Sequence, residues 1–103
     1  MIAKTQGKLT NYQVRLLKAL AHNLNPAVTI GANGLSESVV TELDHAFARH
    51  ELIKVKLPTL KKPDRMHLLE TLCDRCGAKL VTLIGRIGIA YRPANKPVIV
   101  LPE

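Results

Sequence analysis

Tryptophan is absent, and the chain has one Phe and two Tyr. That scarcity argues against a surface on which rows of aromatic rings stack nucleobases. Acidic side chains number 8 against 15 Lys plus Arg, and three of them, Glu37, Glu42 and Asp44, fall on one predicted helix. Paired-carboxylate catalysis is therefore unsupported. No apolar run approaches the roughly 20 residues of a membrane-spanning helix. The opening MIAKTQGKLTNYQ lacks the apolar core of a signal peptide, so a cytoplasmic location without membrane association is the expectation. Internal repeats and low-complexity segments are also missing.

What is present is a chain of 103 residues, 47% of them hydrophobic. That is enough for one domain with one filled core. The net charge is +7 and the pI about 9.8. So large an excess in so small a domain points to a polyanionic partner, with nucleic acid first among the options. With few aromatics, such binding would grip phosphate and shape more than base faces.

Thr10 suits the N-cap of a first helix running to about Leu24, where Asn25-Pro26 stops it. Leu16, Leu17, Leu20 and Leu24 share one arc of that helix. Arg15, Lys18 and His22 share the opposite arc, either as an ordinary solvated face or as a basic flank. Ala27–Ile30 reads as a short buried strand. Ser36 caps a second helix to about His50, with Val39, Val40, Leu43, Ala46 and Phe47 inward and a partly acidic outer face. Leu52–Leu57 alternates, Ile53, Val55 and Leu57 one way and Lys54 and Lys56 the other. PTLKKPDR is a basic connection bounded by two prolines, and its Asp64 is the expected cap of a third helix from about Arg65 to Cys76, with Gly77 as its stop. Lys79–Ile84 and Ile89–Arg92 form a hairpin through the turn GRIG. Val98–Leu101 either adds an edge strand or lies on the surface.

The order helix, strand, helix, strand, helix, strand, strand predicts an α/β fold with one small mixed four-stranded sheet and three helices. Strands joined through a helix should run parallel, and the last hairpin antiparallel. The chain reads as one domain over 1–103, with an N-terminal arm over about 1–8 and a proline-containing tail over about 94–103.

Cys73-Asp74-Arg75-Cys76 has the spacing of a redox or metal pair. It lies at a helix C-terminus, where the dipole disfavours a thiolate, and a structural zinc site needs four ligands. Both cysteines are expected in the core, with no metal and no cofactor. His22, His45, His50 and His67 are scattered, and no nucleophile cluster is evident, so the chain does not read as an enzyme. Gly31-Ala32-Asn33-Gly34 remains open. It is either a strand-to-helix turn or a place where phosphate meets the free N–H groups of a helix N-terminus.

LNPAVTIGANGLSESVVTELDHAFARHELIKVK, followed by GAKLVTLIGRIGIAYRP, resembles the CRM domain (chloroplast RNA splicing and ribosome maturation) in its stand-alone bacterial form. The likeness spans Leu9 to Leu101. It implies a fold similar to the C-terminal domain of the third bacterial translation initiation factor, and an RNA-binding protein associated with precursors of the large ribosomal subunit; a monomer is the expectation for the chain. It further implies RNA contact at Gly31, Ala32, Asn33 and Gly34. Lys54, Lys56, Arg86 and Arg92, with Arg15, Lys18 and His22 as a flank, are the cations expected to join them. Gly88 departs from an aliphatic position of relatives, which implies a looser hairpin. The alternatives are a protein-interaction module on ribosomal particles and, less favoured by the lack of a base-reading helix, a DNA-binding domain.

Overall fold

The computed structural model describes residues 8–102. Nearly all of the expected N-terminal arm lies outside them. The order is α1 (Asn11–Ala21), β1 (Pro26–Thr29), α2 (Glu37–Arg49), β2 (Leu52–Lys56), α3 (Lys62–Cys76), β3 (Lys79–Ile84) and β4 (Ile87–Tyr91). The sheet order is β1-β2-β4-β3. β1 and β2 are parallel, and β4 is antiparallel to both β2 and β3. The expected α/β class and element order are thus what the chain adopts. No described helix is long and apolar enough to cross a membrane.

The sheet is covered on both faces, and β2 shows why. Ile53, Val55 and the following Leu57 enter a cluster with Leu43 and Phe47 of α2 and Leu69, Leu72, Cys73 and Cys76 of α3. Leu52 points the other way, into a cluster with Leu17 and Ala21 of α1 and Val81, Ile89 and Tyr91 of the hairpin. Alternation along one strand therefore assigns α2 and α3 to one face and α1 to the other.

Local signals set most boundaries. The Thr10 hydroxyl accepts from the Gln13 N–H at 3.1 Å, while the Gln13 side chain accepts from the Thr10 N–H at 3.0 Å, a reciprocal capping box. The helix ends at Ala21 rather than Leu24. Its buried arc is accordingly Leu17 and Ala21, and Leu20 and Leu24 are exposed. Ser36 caps α2 through the Val39 N–H. α3 begins three residues before its expected start. Lys61, not Asp64, is the N-cap, and Pro63 sits in the first turn, where its fixed φ suits a helix and its missing N–H costs nothing.

The hairpin also differs from expectation. Ile84 pairs with Ile87, so the turn is Gly85-Arg86 and Gly88 lies within β4. A Cβ on Gly88 would stand 2.7 Å from Leu69 Cδ1. This glycine does not loosen the hairpin; it is the place where α3 packs directly on strand backbone.

Residues 94–101 form no strand. They are held by Glu51, whose carboxylate accepts the N–H groups of Ala94, Val98 and Ile99 at 2.7–3.0 Å. Ile99 and Leu101 then pack beside the α1 cluster, and Gln13 Nε2 donates to the Pro102 carbonyl at 2.7 Å.

Candidate nucleic-acid interface

Three connections meet where β1 and β2 end and the hairpin turns. The Ile30 N–H donates to the Lys56 carbonyl at 2.8 Å, fixing the start of the Gly31–Gly34 loop to β2. Leu57 and Arg86 are joined twice: the Leu57 N–H donates to the Arg86 carbonyl at 2.7 Å, and Arg86 Nε donates to the Leu57 carbonyl at 2.9 Å. The loop, the β2 terminus and the hairpin turn are stitched into one rim.

The two glycines of the loop are not equivalent. The Gly34 N–H closes a turn onto the Gly31 carbonyl at 3.0 Å, and Gly34 has φ +71°, the left-handed region that favours glycine. Gly31 has no positive φ, and a Cβ there would have no non-neighbouring atom within 4 Å. Neither conformation nor internal packing requires glycine at 31. The N–H groups of Ala32, Asn33, Leu35, Glu37 and Ser38 have no acceptor among the described residues. Exposed, uncharged main chain thus leads into the N-terminus of α2. The acid nearest this terminus, Glu37, leans to Arg75 at 3.4 Å.

A cleft of about 710 Å³ opens between this rim and α3. Ile30, Gly31, Ala32, Leu60, Leu68 and Arg86 line it, with His67, Thr71 and Asp64 offering polar atoms. Lys61 and Lys62 stand exposed at the start of α3, next in sequence to Leu60.

The expected cations divide into groups. Arg86 stands with Gly31–Gly34 at the rim. Lys56 is exposed at the end of β2, on the α1 side of the sheet. Lys54 lies on that same side, half-buried, with its ammonium donating to the His22 carbonyl at 3.1 Å. Arg15, Lys18 and His22 are exposed along α1, with the Arg15 guanidinium 5.9 Å from the centre of the Tyr12 ring. They form a flank on the sheet face opposite α2 and α3. Arg92 goes elsewhere. It follows β4 at the far end from Arg86, donates to Asp44 at 3.1 Å and to the Cys76 carbonyl at 2.9 Å, and lies 5.0 Å over the Phe47 ring. Its guanidinium ties α2, α3 and β4 together.

Cys73 and Cys76 are buried in the α2–α3 core. Burial pushes the Cys73 thiol up to about 12, and the Cys76 thiol is raised for the same reason. Among the described residues no group of His, Cys, Asp and Glu is arranged to hold a metal ion.

The architecture is a three-helix, four-strand α/β module with a glycine-bounded loop at a strand-to-helix junction. The chain belongs to the CRS1/YhbY (CRM) domain family, which it matches over residues 9–92. It is 42% identical over 89 residues to the "Probable RNA-binding protein PA4753" of Pseudomonas aeruginosa, covering 86% of each chain. It is 39% identical over 95 residues to an "RNA-binding protein" of Haemophilus influenzae, covering 92% of this chain and 96% of that one. A solution structure of the Staphylococcus aureus protein SAV1595, for which RNA binding is proposed, superposes with a TM-score of 0.81 at 35% identity. It covers 92% of this chain and all of that one.

Proposed function

We propose that this protein binds RNA at the rim formed by Gly31–Gly34, Lys56 and Arg86, and that its target is ribosomal RNA in a precursor of the large subunit. The relatives' names support RNA as the ligand. The ribosomal target rests on the likeness to the stand-alone bacterial CRM form. The role is binding rather than catalysis, in the cytoplasm, without a cofactor.

The observation that carries the reading is Gly31. Its lack of a side chain serves nothing inside the fold, yet it leaves main chain bare beside a helix N-terminus and an exposed cation. A phosphodiester needs that access, because N–H donors must come within about 3 Å of its oxygens. Lys54 and the α1 flank of Arg15, Lys18 and His22 would meet the strand's continuation on the other face.

Gly31→Ala tests this directly. It should leave thermal stability unchanged or slightly higher, since alanine narrows the unfolded ensemble by about 0.4–1 kcal/mol where the native conformation accepts it. Affinity for fragments of large-subunit ribosomal RNA should fall several-fold. Equal affinity in a folded variant would return the loop to the status of a plain turn.

A further inference from the structure

The cleft beside the loop bears on what form of RNA is taken, an inference that rests on the RNA-binding reading above. We infer that the RNA engaged at the rim is single-stranded there, and that one unpaired nucleobase enters the cleft between the Gly31–Gly34 loop and α3.

The shape comes first. The cleft measures about 710 Å³, within the range of pockets that enclose small organic groups. Its floor and sides are largely carbon, from Ile30, Leu60 and Leu68. Regular duplex RNA keeps its bases stacked inside and shows phosphate, sugar and a shallow groove. It could rest on the rim but would leave this cavity unfilled. A strand whose backbone follows Gly31–Gly34 has its bases free to turn, and the cavity borders those residues.

The chemistry follows the same line. The cleft has no Phe, Tyr or Trp, but two flat side chains line it, His67 and Arg86. Imidazole and guanidinium planes both accept a base face. Arg86 is held in place by its bond to the Leu57 carbonyl. The carboxylate of Asp64 accepts hydrogen bonds, as base amino groups require. The Thr71 hydroxyl donates to the His67 carbonyl at 2.9 Å and keeps lone pairs for a donor. Arg86 lines the cleft, and Lys61 and Lys62 follow its Leu60 in sequence, positive charge that suits the phosphates that must pass on either side.

The test uses the full chain and three fluorescent probes: a short single-stranded RNA of mixed sequence, the same strand in a duplex, and the same strand with abasic nucleotides. Two variants accompany the parent. His67→Ala removes a flat wall at an exposed helix position, and Ala32→Asp with Asn33→Asp places negative charge in the loop. The parent should bind the single strand at least tenfold more tightly than the duplex or the abasic strand. His67→Ala should weaken the intact single strand at least fivefold and leave the duplex and abasic strand unchanged. The loop variant should weaken all three. If single strand and duplex bind alike, or His67→Ala binds every probe like the parent while the loop variant still loses affinity, the cleft inference is wrong and the RNA-binding reading stands. If no probe binds the parent, or none responds to the loop variant, the RNA-binding reading at this rim fails, and the cleft inference with it.

Discussion

Leu69 occupies the space that a side chain at Gly88 would need. Its Cδ1, Cδ2 and Cγ lie 2.7, 3.0 and 3.3 Å from the position of that Cβ, and Leu69 is itself fully buried. Gly88→Ala should therefore destabilise the protein by about 1–3 kcal/mol, the usual cost of overpacking a filled core. A shorter partner should restore part of the loss: Gly88→Ala with Leu69→Val should be more stable than the two separate costs added together. Chemical denaturation of the four proteins measures this coupling. Strict additivity would mean that α3 yields freely over β4.

Salt dependence should separate the cations. Each phosphate contact releases counterions and adds roughly 0.7–0.9 to the slope of log affinity against log salt. Lys56→Ala and Arg86→Ala should each flatten the slope by about that much. Lys54→Ala should flatten it less, because its ammonium is already given to the His22 carbonyl. Arg92→Ala should leave the slope alone and lower the unfolding free energy by about 1–2 kcal/mol, through loss of the Asp44, Cys76 and Phe47 contacts. A flattened slope for Arg92→Ala would place RNA at the opposite end.

Cys73 and Cys76 should resist alkylation in the native protein and react fully once it is unfolded. Burial raises both thiols, Cys73 to about 12. An acid whose folded pKa is raised favours the folded state below the unfolded pKa. That contribution is lost as pH rises through the folded value. Denaturation midpoints should accordingly decline from the ordinary thiol range, near 9, towards about 12. Replacing both by Ala should cost on the order of 1–3 kcal/mol in lost burial and remove the thiols' part of that decline. RNA affinity should be unchanged.

Glu51 has the opposite sign. The N–H groups of Ala94 and Ile99, with that of Val98, hold its carboxyl below the ordinary glutamate range, against a smaller opposing effect of burial. A depressed folded pKa gives stability that is present at neutral pH and lost as pH falls through the folded value. The amide proton shifts of Ala94, Val98 and Ile99 should titrate together, with a midpoint below the ordinary glutamate range near 4.5. At neutral pH, Glu51→Gln should speed hydrogen exchange across residues 94–99 and leave the sheet protected. Unaltered exchange there would show that Ile99 and Leu101 hold the tail without the carboxylate.

The features legible in the sequence were those decided by neighbouring residues. Thr10, Ser36 and Gly77 mark helix ends because capping acts within one turn, and β2 declared itself through alternation. Asp64 has the side chain of a good N-cap and so points to a start at Arg65, but Lys61 is the N-cap and Pro63 is welcome in the first turn. Leu20 and Leu24 fitted a wheel that assumed a helix three residues longer. The functions of Gly88 and Glu51 were hidden, since Leu69 and the tail amides meet them only through the fold. The cleft was equally hidden, because its walls come from segments around Ile30, Leu60, His67 and Arg86. Arg92 looked like a further surface cation, and only tertiary structure discloses its use between α2, α3 and β4.

The double link between Leu57 and Arg86 has a consequence for how a cation meets its ligand. A free surface arginine samples many rotamers and loses that freedom when it grips a phosphate. Here Nε is already committed to a main-chain carbonyl, so much of that rotational entropy is surrendered when the chain folds. The terminal nitrogens are then offered from a nearly fixed point, and docking orders little that was not ordered before. Lysine could keep the charge at this position, but its ammonium would have to choose between the carbonyl and the phosphate.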